Sequence, residues 1–201
     1  RGNVRTMLGD FKGAIRDYNK AIKIDSTYVD AFYNRGIAKD SIGDYQGAIK
    51  DFTRAISKKS DFENAYFNRA VSKFKAGDTL GAQKDFNRVK QMNPKIEEKH
   101  RNLARKAENN GDYSSAVSQY EKLIMLNPNS SEAYLNRGIN LESIGKLREA
   151  LQDFNKAAQL NPNNAKIYVN RGVAKGKLGD LQAAINDLNK AVALEPELAN
   201  A

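Results

Sequence analysis

Residues 33–56 read YNRGIAKDSIGDYQGAIKDFTRAI, and this stretch is copied along the whole chain. Its Gly43 has counterparts at Gly9, Gly77, Gly111, Gly145 and Gly179, each 34 residues from the next. Its Ala48 recurs in the same register as Ala14, Ala82, Ala116, Ala150 and Ala184. Two columns kept in step without an insertion identify a repeat architecture, in which each unit buries its apolar face against its neighbours. The expected organisation is a single array over residues 1–201, with a partial unit at about 1–28 and complete ones at 29–62, 63–96, 97–130, 131–164 and 165–198. Arg1-Gly2 aligns with Arg35-Gly36, so the sequence opens inside a unit and reads as a piece of a longer chain.

Each period predicts two amphipathic helices. In the second unit helix A spans roughly Val29 to Ile42 and helix B roughly Gln46 to Lys58. Tyr45, Ala48, Ile49, Phe52, Ala55 and Ile56 fall on one helical face. Gly43-Asp44 separates the two helices, since glycine accepts the left-handed conformation that ends a helix and aspartate caps the next. Asp10, Asp78, Asp112 and Asp180 repeat the cap, and Lys146 does not. Pro94, Pro128, Pro162 and Pro196 follow the later helices B and stop them. The column Gly2, Gly36, Ala70, Ala104, Gly138, Gly172 implies close helix approach. The middle units look weaker, because Ala76 and Asn110 stand where Ile42 and Ile144 do and Gln83 takes an aliphatic position.

These residues resemble the tetratricopeptide repeat family. They are the aromatic early in helix A, the Gly/Ala column, the Gly-Asp-Tyr turn, the alanine and aromatic of helix B, and the Asn-Pro stop. The resemblance covers nearly the whole chain. It implies an all-α fold, a right-handed α-solenoid of antiparallel helix hairpins with helices A lining a concave groove. It also implies a non-enzymatic scaffold whose groove binds a peptide or protein segment.

Composition narrows the alternatives. With no cysteine and one histidine, neither a disulfide framework nor a zinc site is expected. No cofactor is expected either, because no phosphate-binding loop, dinucleotide fingerprint or nucleophile–base pair is present. His100 occupies the aromatic column of Tyr66 and Tyr134, which predicts packing. No apolar run is long enough for a membrane span. The net charge of +9 is uneven: residues 1–96 hold 19 Lys/Arg against 11 Asp/Glu, and residues 97–201 hold 14 against 13. A basic convex stripe through Lys20, Arg54, Arg88, Lys122, Lys156 and Lys190 could meet a polyanion, but no RNA-recognition aromatics accompany it, so a nucleic-acid partner is not expected.

Two columns are kept or lost together. Helix A carries Arg1, Arg35, Arg69, Leu103, Arg137 and Arg171, and sixteen residues later helix B carries Asp17, Asp51, Asp85, Gln119, Asp153 and Asp187. Both charges vanish in the fourth unit alone. An ion pair joining the two helices of each hairpin explains this, since one charge without the other is costly in a poorly solvated place. The pairs expected are Arg35–Asp51, Arg69–Asp85, Arg137–Asp153 and Arg171–Asp187.

The remaining helix-A columns form the candidate groove. Asn34, Asn68, Asn102, Asn136 and Asn170 can donate to and accept from an extended peptide backbone, or tie neighbouring hairpins together. Beside them stand Tyr33, Phe67, Arg101 and Leu135, then Ile37, Val71 and Arg105. Some family members clamp a C-terminal carboxylate. By that resemblance Arg101, Asn136 and Lys166 occupy clamp positions, while Arg105 and Asn170 depart from the pattern, so the clamp looks degraded. The last helix shows Leu181, Ile185, Leu188 and Val192 on one face, which suggests self-association through uncovered terminal helices as an alternative role.

Overall fold

A computed structural model describes residues 1–197, so the end of the last unit at residue 198 lies outside the described residues. Every described regular element is helical, from α1 (Gly2–Met7) and α2 (Phe11–Ile24) to α11 (Ala165–Lys177) and α12 (Leu181–Leu194). The chain forms two compact units, residues 1–96 and the part from residue 97 onward. The first contains the hairpins α1–α2, α3 (Val29–Ser41) with α4 (Tyr45–Lys58), and α5 (Glu63–Lys75) with α6 (Thr79–Met92). In the second, α7 (Ile96–Asn109) and α8 (Tyr113–Leu126) are followed by the hairpins α9 (Ser131–Ser143) with α10 (Leu147–Leu160) and α11–α12. Within each unit helix B of one hairpin packs on helix A of the next, as α4 does on α5 and α10 on α11. Consecutive hairpins stacked in this way make an α-solenoid.

The turn follows from its two residues. Gly43 sits at φ +82°, where a side chain would be strained, and Asp44 then accepts a bond from the Gly47 amide. Asp10, Asp78, Asp112 and Asp180 cap their helices in the same way, while Lys146 makes no side-chain cap to α10. Close packing of helices A and B explains the small column. A β-carbon on Gly36 would lie 2.7 Å from a Phe52 ring carbon, and one on Gly138 would lie 2.5 Å from Phe154.

The core is a strip of alanines with large side chains of helices B beside it. Ala48, Ala82, Ala116 and Ala150 are at most 1% exposed, and Phe52, Phe86 and Phe154 at most 2%. Burying each of these rings is worth about 1.5–3 kcal/mol. One expected weakness is smaller than the sequence suggests. Ile42 is 43% exposed, so alanine at position 76 gives up little burial.

The missing cap leads to a prediction. Lys146→Asp supplies the side-chain acceptor that five other helices B have, and should raise stability by about 1 kcal/mol. Urea unfolding of the two proteins measures the difference, and an unchanged or lower midpoint contradicts it.

Candidate binding groove and the ionic joints behind it

The arginine and aspartate columns meet inside each hairpin that has both as complete helices. Arg35 donates from Nε and Nη2 to Asp51 at 2.8 and 2.6 Å. The same two-bond fork joins Arg69 to Asp85, Arg137 to Asp153 and Arg171 to Asp187. The four aspartates are at most 5% exposed. At the chain start the fork is looser. Arg1 Nε lies 3.5 Å from Asp17, Arg5 lies 3.2 Å away, and Asp17 Oδ2 is buried without a hydrogen bond.

Two further contacts escape sequence reading. A second cation reaches the same carboxylate: Lys39 to Asp51, Lys73 to Asp85 and Lys175 to Asp187, each at 2.8 Å. Its loss at Ala107, in the same unit that lacks the arginine and aspartate, was a visible signal for it. The arginines also bond backward to the preceding helix B, from Arg35 to Asn19, from Arg69 to Thr53 and from Arg171 to Asn155. That column is merely polar and carries no signal. In the fourth hairpin His100 is buried and its Nδ1 lies 2.9 Å from Gln119 Oε1, so a histidine–glutamine contact stands in place of the arginine–aspartate fork.

On the opposite side, α3 and α5 bring together Tyr33, Asn34, Ile37, Phe67, Asn68 and Val71. Tyr33 lies on Phe62 with ring centroids 4.6 Å apart, and Phe67 meets Phe86 edge-on at 5.4 Å. Burial raises the Tyr33 phenol above its ordinary pKa, against the opposing effect of the Asn68 bond. That bond runs from Asn68 Nδ2 to Tyr33 OH at 2.9 Å, and Asn34 donates to Asn3 at 3.4 Å. These two asparagines therefore tie neighbouring helices A. Ile37, Val71, Asn68, Asp40, Ser41 and Phe52 line a pocket of about 130 Å³. Its rim is held by Asp40, which accepts from Ser72 Oγ at 2.7 Å and from Lys75 at 2.6 Å.

In the second unit the candidate residues separate. Leu135 is 5% exposed and belongs to the core, so it is not a lining residue: helix packing has claimed the side chain expected to face a ligand. Arg101 points toward Glu132 at 3.8 Å, and Asn102, Arg105 and Lys166 are exposed. Asn170 Nδ2 donates to the Lys166 carbonyl at 2.7 Å, and the Asn136 carbonyl accepts from Asn140. Glu132 beside Arg101 works against capture of a carboxylate there. Glu108 accepts from Asn140 Nδ2 at 2.7 Å, another tie between successive helices A. Burial first, and then Glu108, push the Tyr120 phenol well above its ordinary pKa. At the far end Leu181, Ile185, Leu188 and Val192 are 36–66% exposed.

Comparison with known proteins agrees with this architecture. The chain matches the family described as TPR repeat over residues 2–39 and 143–179. It matches Tetratricopeptide repeat over residues 29–61, 102–130 and 165–198. The chain belongs to the tetratricopeptide repeat family, whose fold is a protein–protein interaction scaffold. A search of curated proteins returned no match. Among solved structures it is similar to the TPR2AB domain of yeast Sti1 in complex with pHSP90, at 21% identity and TM-score 0.50, covering 99% of this chain and 90% of that one. It is also similar to a tetratricopeptide repeat protein from Parabacteroides merdae, at 21% identity and TM-score 0.51, covering 96% of this chain and 76% of that one. These likenesses concern the fold. Among the described residues no helix is long and apolar enough to cross a membrane.

The joints generate two predictions. Asp51→Ala leaves Arg35 and Lys39 facing each other in a poorly solvated place and should cost about 3 kcal/mol. Replacing all three residues by those of the fourth hairpin (Arg35→Leu, Lys39→Ala, Asp51→Gln) should recover most of that in urea unfolding. A triple variant less stable than Asp51→Ala would refute the reading.

The second concerns pH. Burial alone would raise the Asp187 pKa, but bonds from Arg171 and Lys175 overcome it and hold the carboxyl below its ordinary value. A depressed folded pKa stabilises above the unfolded value of about 3.9 and is lost as pH falls through the folded one. Wild-type stability should therefore drop below about pH 4 more steeply than that of Asp187→Asn, and parallel curves would contradict it.

Proposed function

We propose that this chain is a scaffold that binds a polypeptide segment along its helix-A face. The pocket between α3 and α5 carries the reading. It pairs an apolar floor of Ile37, Phe52 and Val71 with Asn68 and Asp40 at its edge. Such a site takes one apolar side chain and offers an amide and a carboxylate to the adjoining peptide backbone. The ties at Asn68 and Asp40 fix the rim before binding, which lowers the entropic cost of association. The similar yeast Sti1 domain is itself held in a protein complex, which supports the same class of role here.

Selection from a random peptide library against the intact chain tests this. Selected peptides should share an apolar anchor and lose at least about tenfold in affinity to Ile37→Arg or Val71→Arg, the loss of one buried apolar side chain. Thermal melts establish that both variants remain folded. Peptides that bind folded variants unchanged would place the site elsewhere.

A further inference from the structure

The fifth hairpin breaks the ionic pattern in one place. In the second, third and sixth hairpins a lysine ammonium sits 2.8 Å from an oxygen of the buried aspartate. That ammonium has a second acceptor: Lys73 Nζ lies 3.4 Å from the Gly81 carbonyl. In the first hairpin Arg5 reaches the Gly13 carbonyl at 3.1 Å. The fifth hairpin has Leu141 at this position of helix A. Asp153 is still buried, with its side chain 7% exposed, and Arg137 still holds it through Nε and Nη2. The Oδ2 atom that elsewhere accepts from both arginine and lysine accepts here from Arg137 Nε alone among the described residues. An ionised carboxylate oxygen has room for two donors, and a buried acceptor left half used is costly.

The vacated place opens to solvent. A cleft of about 300 Å³ between α8, α9 and α10 is lined by Glu121, Arg137, Leu141, Lys146, Glu149 and Asp153 among others. Glu149 occupies the position of Gly13 and Gly81, so its carbonyl stands where theirs accept a cation. Lys146 Nζ lies 3.5 Å from the Glu149 carboxylate, but with Glu121 and Asp153 the lining carboxylates still outnumber Arg137 and Lys146, and Val117 and Leu141 add an apolar wall.

We propose that this cleft binds a primary alkylammonium group, from a lysine side chain of a partner polypeptide or from a free amine. The ammonium donates to Asp153 Oδ2 and the Glu149 carbonyl, as Lys73 does to Asp85 and the Gly81 carbonyl. The alkyl stem lies along Val117 and Leu141. The site is separate from the helix-A pocket and does not depend on that reading.

Amide NMR spectra of the intact chain, titrated with n-butylammonium chloride and separately with tetramethylammonium chloride, test the proposal. Butylammonium should give saturable shifts at Leu141, Glu149 and Asp153. Tetramethylammonium, which has no N–H to donate, should not. Leu141→Lys, which returns the missing ammonium, should weaken binding by at least about tenfold, the worth of one charge-assisted bond. Glu149→Lys, which keeps the carbonyl but sets a second ammonium at the mouth of the cleft, should weaken it by a similar factor through repulsion. Glu149→Lys keeps the test valid if Leu141→Lys does not fold. A capped Ala-Ala-Lys-Ala-Ala peptide and its Nε-acetyl form separate the sources. Tighter binding of the unmodified peptide than of butylammonium assigns a partner lysine, and equal binding assigns a free amine. Equal shifts with both salts, or binding unchanged by Glu149→Lys, overturn the proposal.

Discussion

A carboxylate removed from water must be met by cations, and that demand fixes how each hairpin closes. Arg35 satisfies Asp51 on α4 with two parallel bonds and spends a third on Asn19 of α2. Its guanidinium also lies 5.5 Å over the Phe32 ring. One planar side chain thus touches three helices, and a fork of this kind is satisfied at only one register. Sliding α3 along α4 by a residue would separate the fork from a buried acceptor, which costs far more than the pair gains. The glycine column follows from the same geometry. Helices brought this close press Gly36 against the Phe52 ring, where a β-carbon has no room.

The fourth hairpin shows what the joint requires by doing without it. Leu103, Ala107 and Gln119 replace all three charged partners, and His100 bonds to Gln119. The alanine strip continues through Ala104 and Ala116, both fully buried, with Tyr120 and Leu123 beside them. Hydrophobic burial therefore holds this hairpin, and the charged joint adds register more than bulk stability. Replacing a complete buried ion pair by a neutral set is tolerable, whereas removing a single member is not. That asymmetry is why the arginine and aspartate columns change together within one chain, while the lysine column is lost once more, at Leu141.

The sequence made the fold legible because its strongest signals are backbone constraints. A left-handed turn admits glycine, a cap admits aspartate, and a close crossing admits glycine or alanine, so each leaves a column. The arginine–aspartate columns were legible for the related reason that a half-kept pair is penalised. Burial of individual helix-A side chains was not legible. Leu135 and Tyr33 belong to columns that differ in residue type from unit to unit, and periodicity alone does not say whether such a side chain faces a ligand or the neighbouring hairpin. Asn34 and Asn68 show the same limit, because an amide that can meet a peptide can equally meet Asn3 or a tyrosine hydroxyl. Lys39 and Lys73 were not legible as partners of the aspartates, because lysine is exposed more often than not. Only the shared loss at Ala107 distinguished them.

A repeat protein therefore acquires function where a column supplies one half of an interaction without the other. In the second, third and sixth hairpins the carboxylate, arginine and lysine are present together and consume one another's bonding capacity. At Leu141 the lysine is gone and the carboxylate remains, held in place by the Arg137 fork alone. The apolar substitution suits the core: Leu141 is 4% exposed and packs among Phe154 and Ala150. Its cost falls on the second lone pair of Asp153, next to a cleft that reaches solvent. A packing gain has been exchanged for an unused buried acceptor, and a protonated amine from outside the chain is the chemical group that restores what the other hairpins carry internally.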